Sequence, residues 1–257
     1  MRIRYCIVTL NQFSWVVDRH LPSVDESLVD GVHLFCSEVQ DQSYNGMKFA
    51  DPAEIKEAEA QLSRFKDWKV SSATNNFGVA NAWNFFVKEA EKDGYDAVIL
   101  ANDDIFLYPE VLQNFVDTMK ASEFTSFAGS NMFSFFGIHV SLFNKVGDFD
   151  ENFWPAYYED NDYFYRMKLL GIESTHVTGA SYFHAGSATL GKFDLMRKMM
   201  HHHNFSKNTE YYKEKWGGMP HEEKFTRPFD GDQNVGNLKG KLTRSVINGI
   251  EPLIAED

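Results

Sequence analysis

The sequence predicts an α/β/α sandwich, with helices covering both faces of a mostly parallel central sheet, followed by a C-terminal extension. Three observations lead there. Short apolar runs of strand length alternate with amphipathic stretches of helical length through the first 120 residues. The runs end in polar residues, as at Asn11-Gln12 and at Asn102-Asp103-Asp104. With 257 residues, 43% of them hydrophobic, and 23 Phe, 11 Tyr and 5 Trp, the chain can bury a large core, which excludes a disordered polypeptide.

The elements follow in order. Residues 4–10 and 31–36 read as the first two strands. Asp51-Pro52-Ala53-Glu54 announces a helix, with an acceptor at the cap, proline in the first turn and a capping-box Glu. Its apolar face is Ile55, Ala58, Leu62 and Phe65. Residues 68–71 form a short strand. Residues 79–92 are amphipathic through Val79, Ala82, Trp83, Phe86, Val87 and Ala90, and Gly94 suits the helix end. Residues 95–101 form the next strand, and Pro109 opens a helix through Val111, Leu112, Phe115 and Met119. After residue 120 the rhythm changes. Residues 124–143 hold strand-like stretches broken by Gly129 and Gly137. A helix follows over 159–170, closed by Gly171; Asp162 and Arg166 are four apart and can pair. Glu159 and Asp160 lie in its first turn, where the helix dipole favours anions. Strand-like residues 172–177 and 180–183 lead to His184. From Gly217 on, glycine, proline and charge dominate, and only 245–254 looks ordered.

Charge and composition narrow the partners. A formal net charge of −12 argues against a nucleic-acid partner, which needs Lys and Arg on phosphates. A small phosphorylated ligand remains compatible, because a divalent cation or a helix N-terminus can hold phosphate locally. No apolar run approaches the roughly 18 residues of a membrane span. The N-terminal apolar stretch is too brief for a signal peptide. Cys6 and Cys36 lie in strand-like runs and read as reduced, buried thiols. The expectation is a soluble cytoplasmic protein.

Asp103 and Asp104 pose a physical problem. Adjacent carboxylates at the end of a core strand repel one another and lose hydration, so something must compensate them. They lie where ligands gather, outside the carboxyl end of a parallel strand. They either face a ligand-bound cation, or cap the next helix and pair with Arg or Lys. His184 alone reads better as a packed histidine, and Trp154, Tyr157 and Tyr158 as core or as rings that stack on a ligand. His201-His202-His203 point in different directions from consecutive helix positions and read as a solvated or substrate-facing patch rather than a metal site.

Taken together, the motifs resemble family 2 glycosyltransferases. "NNFGVANAWN" is similar to their Asn-x-Gly-x-small-x-small-x-Asn element, which ends here at Asn84. "VILANDDIFL" is similar to their Asp-x-Asp strand end. "VGDFDENFWPAYYEDNDYFYRMKLLGI" resembles the stretch that runs from Gly-x-Phe-Asp-Glu through a Glu-Asp pair to an Arg, here Arg166. "FHAGSAT" matches their later His, and "NTEYYKEKWGG" their Lys-Trp-Gly tail. The resemblance implies a GT-A fold over residues 1–218, with 219–257 as a lid, acceptor-side or dimer contact. It implies sugar transfer from a nucleotide-diphosphate sugar, of UDP type, to a glycan or other acceptor hydroxyl with inversion. Mn²⁺ or Mg²⁺ would sit on Asp104 and His184, Asp160 would be the base and Glu159 would orient the acceptor. Thr9, Asn11, Glu38, Asn76, Gly78, Asn84, Asn102, Asp103, Trp154, Tyr158 and Arg166 become candidate substrate contacts. The sequence departs from the pattern at Asn102, which replaces the first Asp, and at Ser37-Glu38, where the family often carries an Asp for the nucleoside. A sugar nucleotidyltransferase would want a Gly-rich, basic loop after the first strand, and "TLNQFSW" lacks one. A nucleotide-sugar-binding module without catalysis is the other alternative.

Overall fold

Seven strands form one sheet in the order β3-β2-β1-β4-β7-β6-β8. They are β1 (Ile3–Thr9), β2 (Gly31–Cys36), β3 (Trp68–Ser72), β4 (Ala97–Asn102), β6 (Phe124–Phe127), β7 (Phe135–His139) and β8 (Thr175–Val177). The pairs β1-β2, β1-β4, β2-β3 and β6-β8 are parallel; β7 runs antiparallel between β4 and β6. A separate two-stranded ribbon joins β5 (Ile105–Leu107) to β9 (Tyr182–His184). In this computed structural model the described residues are 1–10, 12–37, 52–129, 132–186, 188–193 and 195–231. Asn11, Glu38 and Asp51 therefore lie outside them, as does the 245–254 segment.

The central strands are apolar on both sides, as a sheet covered by helices demands. Tyr5, Ile7, Ala97 and Ile99 face a core closed by α2 (Pro52–Leu62) and α4 (Val111–Met119). Cys6, Val98 and Leu100 face a second core under α3 (Val79–Lys92), α5 (Val140–Val146) and α6 (Glu159–Leu169). Ala58, Leu62 and Phe65 are buried as their spacing requires. Both cysteines are buried and free. Gly137 does not break a strand, as its identity suggested, but lies within β7. A Cβ there would come within 2.4 Å of Met119 Sδ, so glycine lets α4 close on the sheet.

Several helical pieces carry no clear sequence signal. α1 (Phe13–Trp15) runs into a π-helix, Val16–His20, and a 3-10 turn, Leu21–Ser23. α5 occupies residues that look strand-like. The helix expected from Pro109 begins at Val111, after Glu110 in the left-handed region with φ 69°. Beyond α7 (Ala188–Gly191), the long α8 (Leu195–Trp216) supplies Tyr211, Tyr212 and Trp216 to a third aromatic cluster, with Phe153, Tyr158 and Tyr165. Residues 219–231 carry mostly exposed side chains but touch this cluster at several points. Met219 and Phe229 pack on this cluster, Tyr165 donates to Phe225 O at 2.9 Å, and Tyr212 donates to Glu223 at 2.7 Å. Among the described residues, no helix is long and apolar enough to cross a membrane.

Candidate active site

β4, the central strand, delivers Asn102 to the carboxyl end of the sheet, and Asp103-Asp104 make the turn into β5. In the β5-β9 ladder Ile105 faces His184, and the Ala185 N–H donates to Asp104 O at 3.0 Å. This register sets His184 Nε2 3.1 Å from Asp104 Oδ1. Burial pushes Asp104 up, but the His184 hydrogen bond and charge outweigh it and leave the carboxyl below its usual range. Asp103 turns the other way and accepts from Thr9 Oγ1 at 2.9 Å and from the Leu10 N–H at 3.4 Å. Burial, and then the charge of Asp104, push Asp103 up to about 7. The adjacent carboxylates thus divide their work: one faces an imidazole, and the other ties the turn to β1.

Two acids stand at the start of α6 on the opposite wall. Tyr157 and Tyr158, just before them, both adopt left-handed backbone with φ 78° and 77°. Glu159 is 5% exposed, and its Oε2 is buried without a hydrogen-bond partner. Burial, and then Asp160, raise its pKa well above the ordinary range. Burial also raises Asp160, although its Oδ1 accepts from the Asn161 N–H at 2.8 Å. A carboxylate held above its usual pKa is the stronger base.

Behind α6 the charges are fully committed. Asp162, 0% exposed, accepts from Trp216 Nε1 and Arg166 Nε, each at 2.9 Å, and lies 2.5 Å from Lys215 Nζ. Lys215 also lies 2.6 Å from Asp150, which accepts from Tyr211 as well. Burial pushes Asp150 up, but Lys215 more than reverses this and holds it at about 2. The Gly-Asp-Phe-Asp-Glu segment and the Lys-Trp-Gly tail are two halves of one buried clamp.

One cleft of about 360 Å³ gathers much of the predicted set: Asn76, Gly78, Asn102, Asp103, Asp104, Glu159, Asp160 and His184 all line it. Other candidates are used differently. Asn84 is 2% exposed; it donates to Phe149 O and Glu151 and accepts from the Phe149 N–H, so it fixes backbone away from the cleft. Arg166 binds Asp162 and the carbonyls of Val146 and Asp148. Tyr158 packs in the third cluster, and Trp154 donates to Asn76 O at 3.0 Å. Thr9 reaches the site only through Asp103. The glycine at 78 makes room for protein as well as for a ligand, since a Cβ there would meet Trp154 Cδ1 at 2.9 Å. Ser37, Ser134, Phe193 and His201 also line the cleft. Ser134 and Phe193 carried no signal in the sequence; of the three histidines, His201 is the one that lines it.

The sheet order, with an acidic turn at the carboxyl end of β4, is the GT-A architecture. Residues 50–183, just over half of the chain, match the family model described as Glycosyl transferase family 2, and the chain belongs to that family. Over 76 residues it is 37% identical to a galactofuranosyl glycosyltransferase of Leishmania donovani, covering 29% of this chain and 17% of that protein. Among solved structures it resembles S. aureus TarS 1-349 in complex with UDP-GlcNAc, with a TM-score of 0.51 and 16% identity. It also resembles GalNAc-T7 with UDP, GalNAc and Mn²⁺, with a TM-score of 0.56 and 11% identity. These alignments cover 71% and 72% of this chain but 58% and 44% of the other two, so the structural likeness concerns the fold.

Proposed function

We propose that this protein moves a sugar from a nucleoside-diphosphate sugar, of UDP type, to a hydroxyl of a glycan or other acceptor, with inversion at the anomeric carbon. The carrying observation is that Asp104 and His184 line the same cleft as Glu159 and Asp160. Asp160 takes the acceptor proton as that oxygen bonds to the anomeric carbon. The bond from this carbon to the diphosphate oxygen breaks, and the electron pair leaves with the nucleoside diphosphate. Glu159, with an unpartnered buried oxygen, hydrogen-bonds the incoming hydroxyl. The UDP assignment draws on the two solved neighbours, whose complexes hold UDP-GlcNAc and UDP.

The residues present fit a divalent cation. A carboxylate and an imidazole 3.1 Å apart suit Mn²⁺ or Mg²⁺, which accept oxygen ligands and tolerate one nitrogen. Among the described residues no cluster of three or more such ligands occurs, so the donor's phosphates would complete the coordination. When bound, the cation neutralises charge developing on the leaving diphosphate. Residues 1–218 carry every group of this reading, and 219–257 is assigned as an acceptor-side cover or a contact between copies.

Melting temperature and UDP release, measured across a panel of UDP-sugars with Mn²⁺, test the proposal. A donor at a hundred times its dissociation constant stabilises by about 2.7 kcal/mol, and slow UDP release should accompany binding. Binding with no release or transfer would favour the non-catalytic module, which Asn102 in place of a carboxylate supports. No binding to any member would overturn the donor assignment.

A further inference from the structure

Asn208 sits midway along α8 with its side chain 0% exposed. Its Nδ2 donates to two successive carbonyls, Ala156 O at 3.0 Å and Tyr157 O at 3.2 Å. These belong to the turn in which Tyr157 and Tyr158 both take left-handed backbone, a conformation that bulky L-residues keep only when their surroundings enforce it. The turn sends Tyr157 to the cleft and Tyr158 to the third aromatic cluster, and the next residue is Glu159. The neighbouring Thr209 secures the same turn: its hydroxyl donates to Phe205 O at 2.8 Å and can accept from the Tyr158 hydroxyl at 3.1 Å. Asn208 Oδ1, by contrast, is buried without a partner. An amide that leaves its own acceptor unsatisfied while spending both donors on one strained turn is placed there for the turn.

We propose that Asn208 is a positioning residue for the acceptor-side acids. By clamping the carbonyls of Ala156 and Tyr157 it fixes where α6 begins, and hence where Glu159 and Asp160 enter the cleft. This inference rests on the assignment of Asp160 as the base. Misplacing a catalytic group by about 1 Å costs about a hundredfold in rate without changing the group itself. The donor-side pair Asp104 and His184 is built on the β4-β5 turn and β9, away from this turn, and should not respond.

UDP release from a UDP-sugar with Mn²⁺, where water takes the acceptor's place, reads this directly in Asn208→Ala, Asp160→Asn and the double variant, below the melting temperature of each. Asn208→Ala should lower kcat about tenfold or more and leave the KM for the donor nearly unchanged. It should add little in the Asp160→Asn background, because the positioned group is already gone. Asn208→Ser, which keeps one donor, should recover part of the rate. Amide hydrogen exchange without substrate should quicken at 156–160 in Asn208→Ala but not across β5 and β9. Wild-type kcat in Asn208→Ala, a loss that multiplies in full with Asp160→Asn, or unchanged exchange at 156–160 would each overturn the positioning role. Full turnover in Asp160→Asn would instead overturn the base assignment beneath it. Should Asn208→Ala not fold, the same comparisons are made with Asn208→Ser.

Discussion

His184 and Asp104 meet at 3.1 Å because Ile105 and His184 are register partners in a two-stranded ribbon whose members lie almost eighty residues apart in the chain. The ribbon is short, so the pair depends on both strand ends rather than on either side chain alone. If a divalent cation binds there, Asp104→Ala and His184→Ala should each weaken Mn²⁺-dependent UDP binding by about tenfold or more, a loss that even residues outside a coordination shell can produce. Calorimetric titration of UDP with and without Mn²⁺ checks this. Unchanged affinity in both variants would remove the metal pair.

Glu159 should be a stability liability at neutral pH. Its folded pKa is raised, chiefly by burial, so below the ordinary carboxylate value it is protonated in both states and carries no penalty. As pH rises past that value the unfolded chain ionises first, and the folded form loses relative stability. Glu159→Gln should therefore be more stable than wild type by about 1 kcal/mol at pH 7 and gain little at pH 4. Urea unfolding at the two pH values measures the difference.

The Lys215 clamp should behave in the opposite sense. Asp150 is held at about 2, so its contribution is present above the ordinary carboxylate value and is lost as pH falls from about 4 through about 2. Lys215→Met removes the cation shared by Asp150 and Asp162, leaving Asp162 with Arg166 and Asp150 with neutral donors, and should cost about 3 kcal/mol, read from the urea midpoint at pH 7. A midpoint close to wild type would show that the clamp adds little.

Much of this arrangement was legible in the sequence, and the exceptions share a cause. The 31–36 strand and the helices over 79–92 and 159–169 follow from periodicity and end signals, which are local. α5 is only seven residues, Val140–Val146, and its Val140, Leu142 and Phe143 read as strand because one turn too few distinguishes the two periods. Among the site residues, Asp104, His184, Glu159 and Asp160 could be placed at element ends. Asn84 and Arg166 could not be assigned correctly, because a polar residue in a motif can face a ligand or satisfy buried backbone. Only the fold shows that Asn84 serves Phe149 and that Arg166, whose pairing with Asp162 the spacing already offered, also binds the carbonyls of Val146 and Asp148. Asn208 escaped notice for the converse reason: its partners are carbonyls some fifty residues earlier.

The C-terminal boundary can be located by truncation. Residues 219–231 contribute Met219, Phe229 and the partners of Tyr165 and Tyr212 to the third cluster. Deleting 219–257 should therefore lower the melting temperature, and Met219→Ala with Phe229→Ala in the full chain should lower it too. A wild-type melting temperature in that double variant would show that the packed segment contributes nothing.

The central claim is that Asp160 removes the acceptor proton in a sugar transfer. Asp160→Asn is nearly isosteric and takes away only the basic oxygen. With a donor identified by binding and an acceptor that supports turnover, the decisive measurement is the kcat of transfer alongside donor affinity for this one variant. The account predicts a fall of roughly a hundredfold or more in kcat with donor and Mn²⁺ affinity nearly unchanged. Wild-type kcat in Asp160→Asn would contradict it.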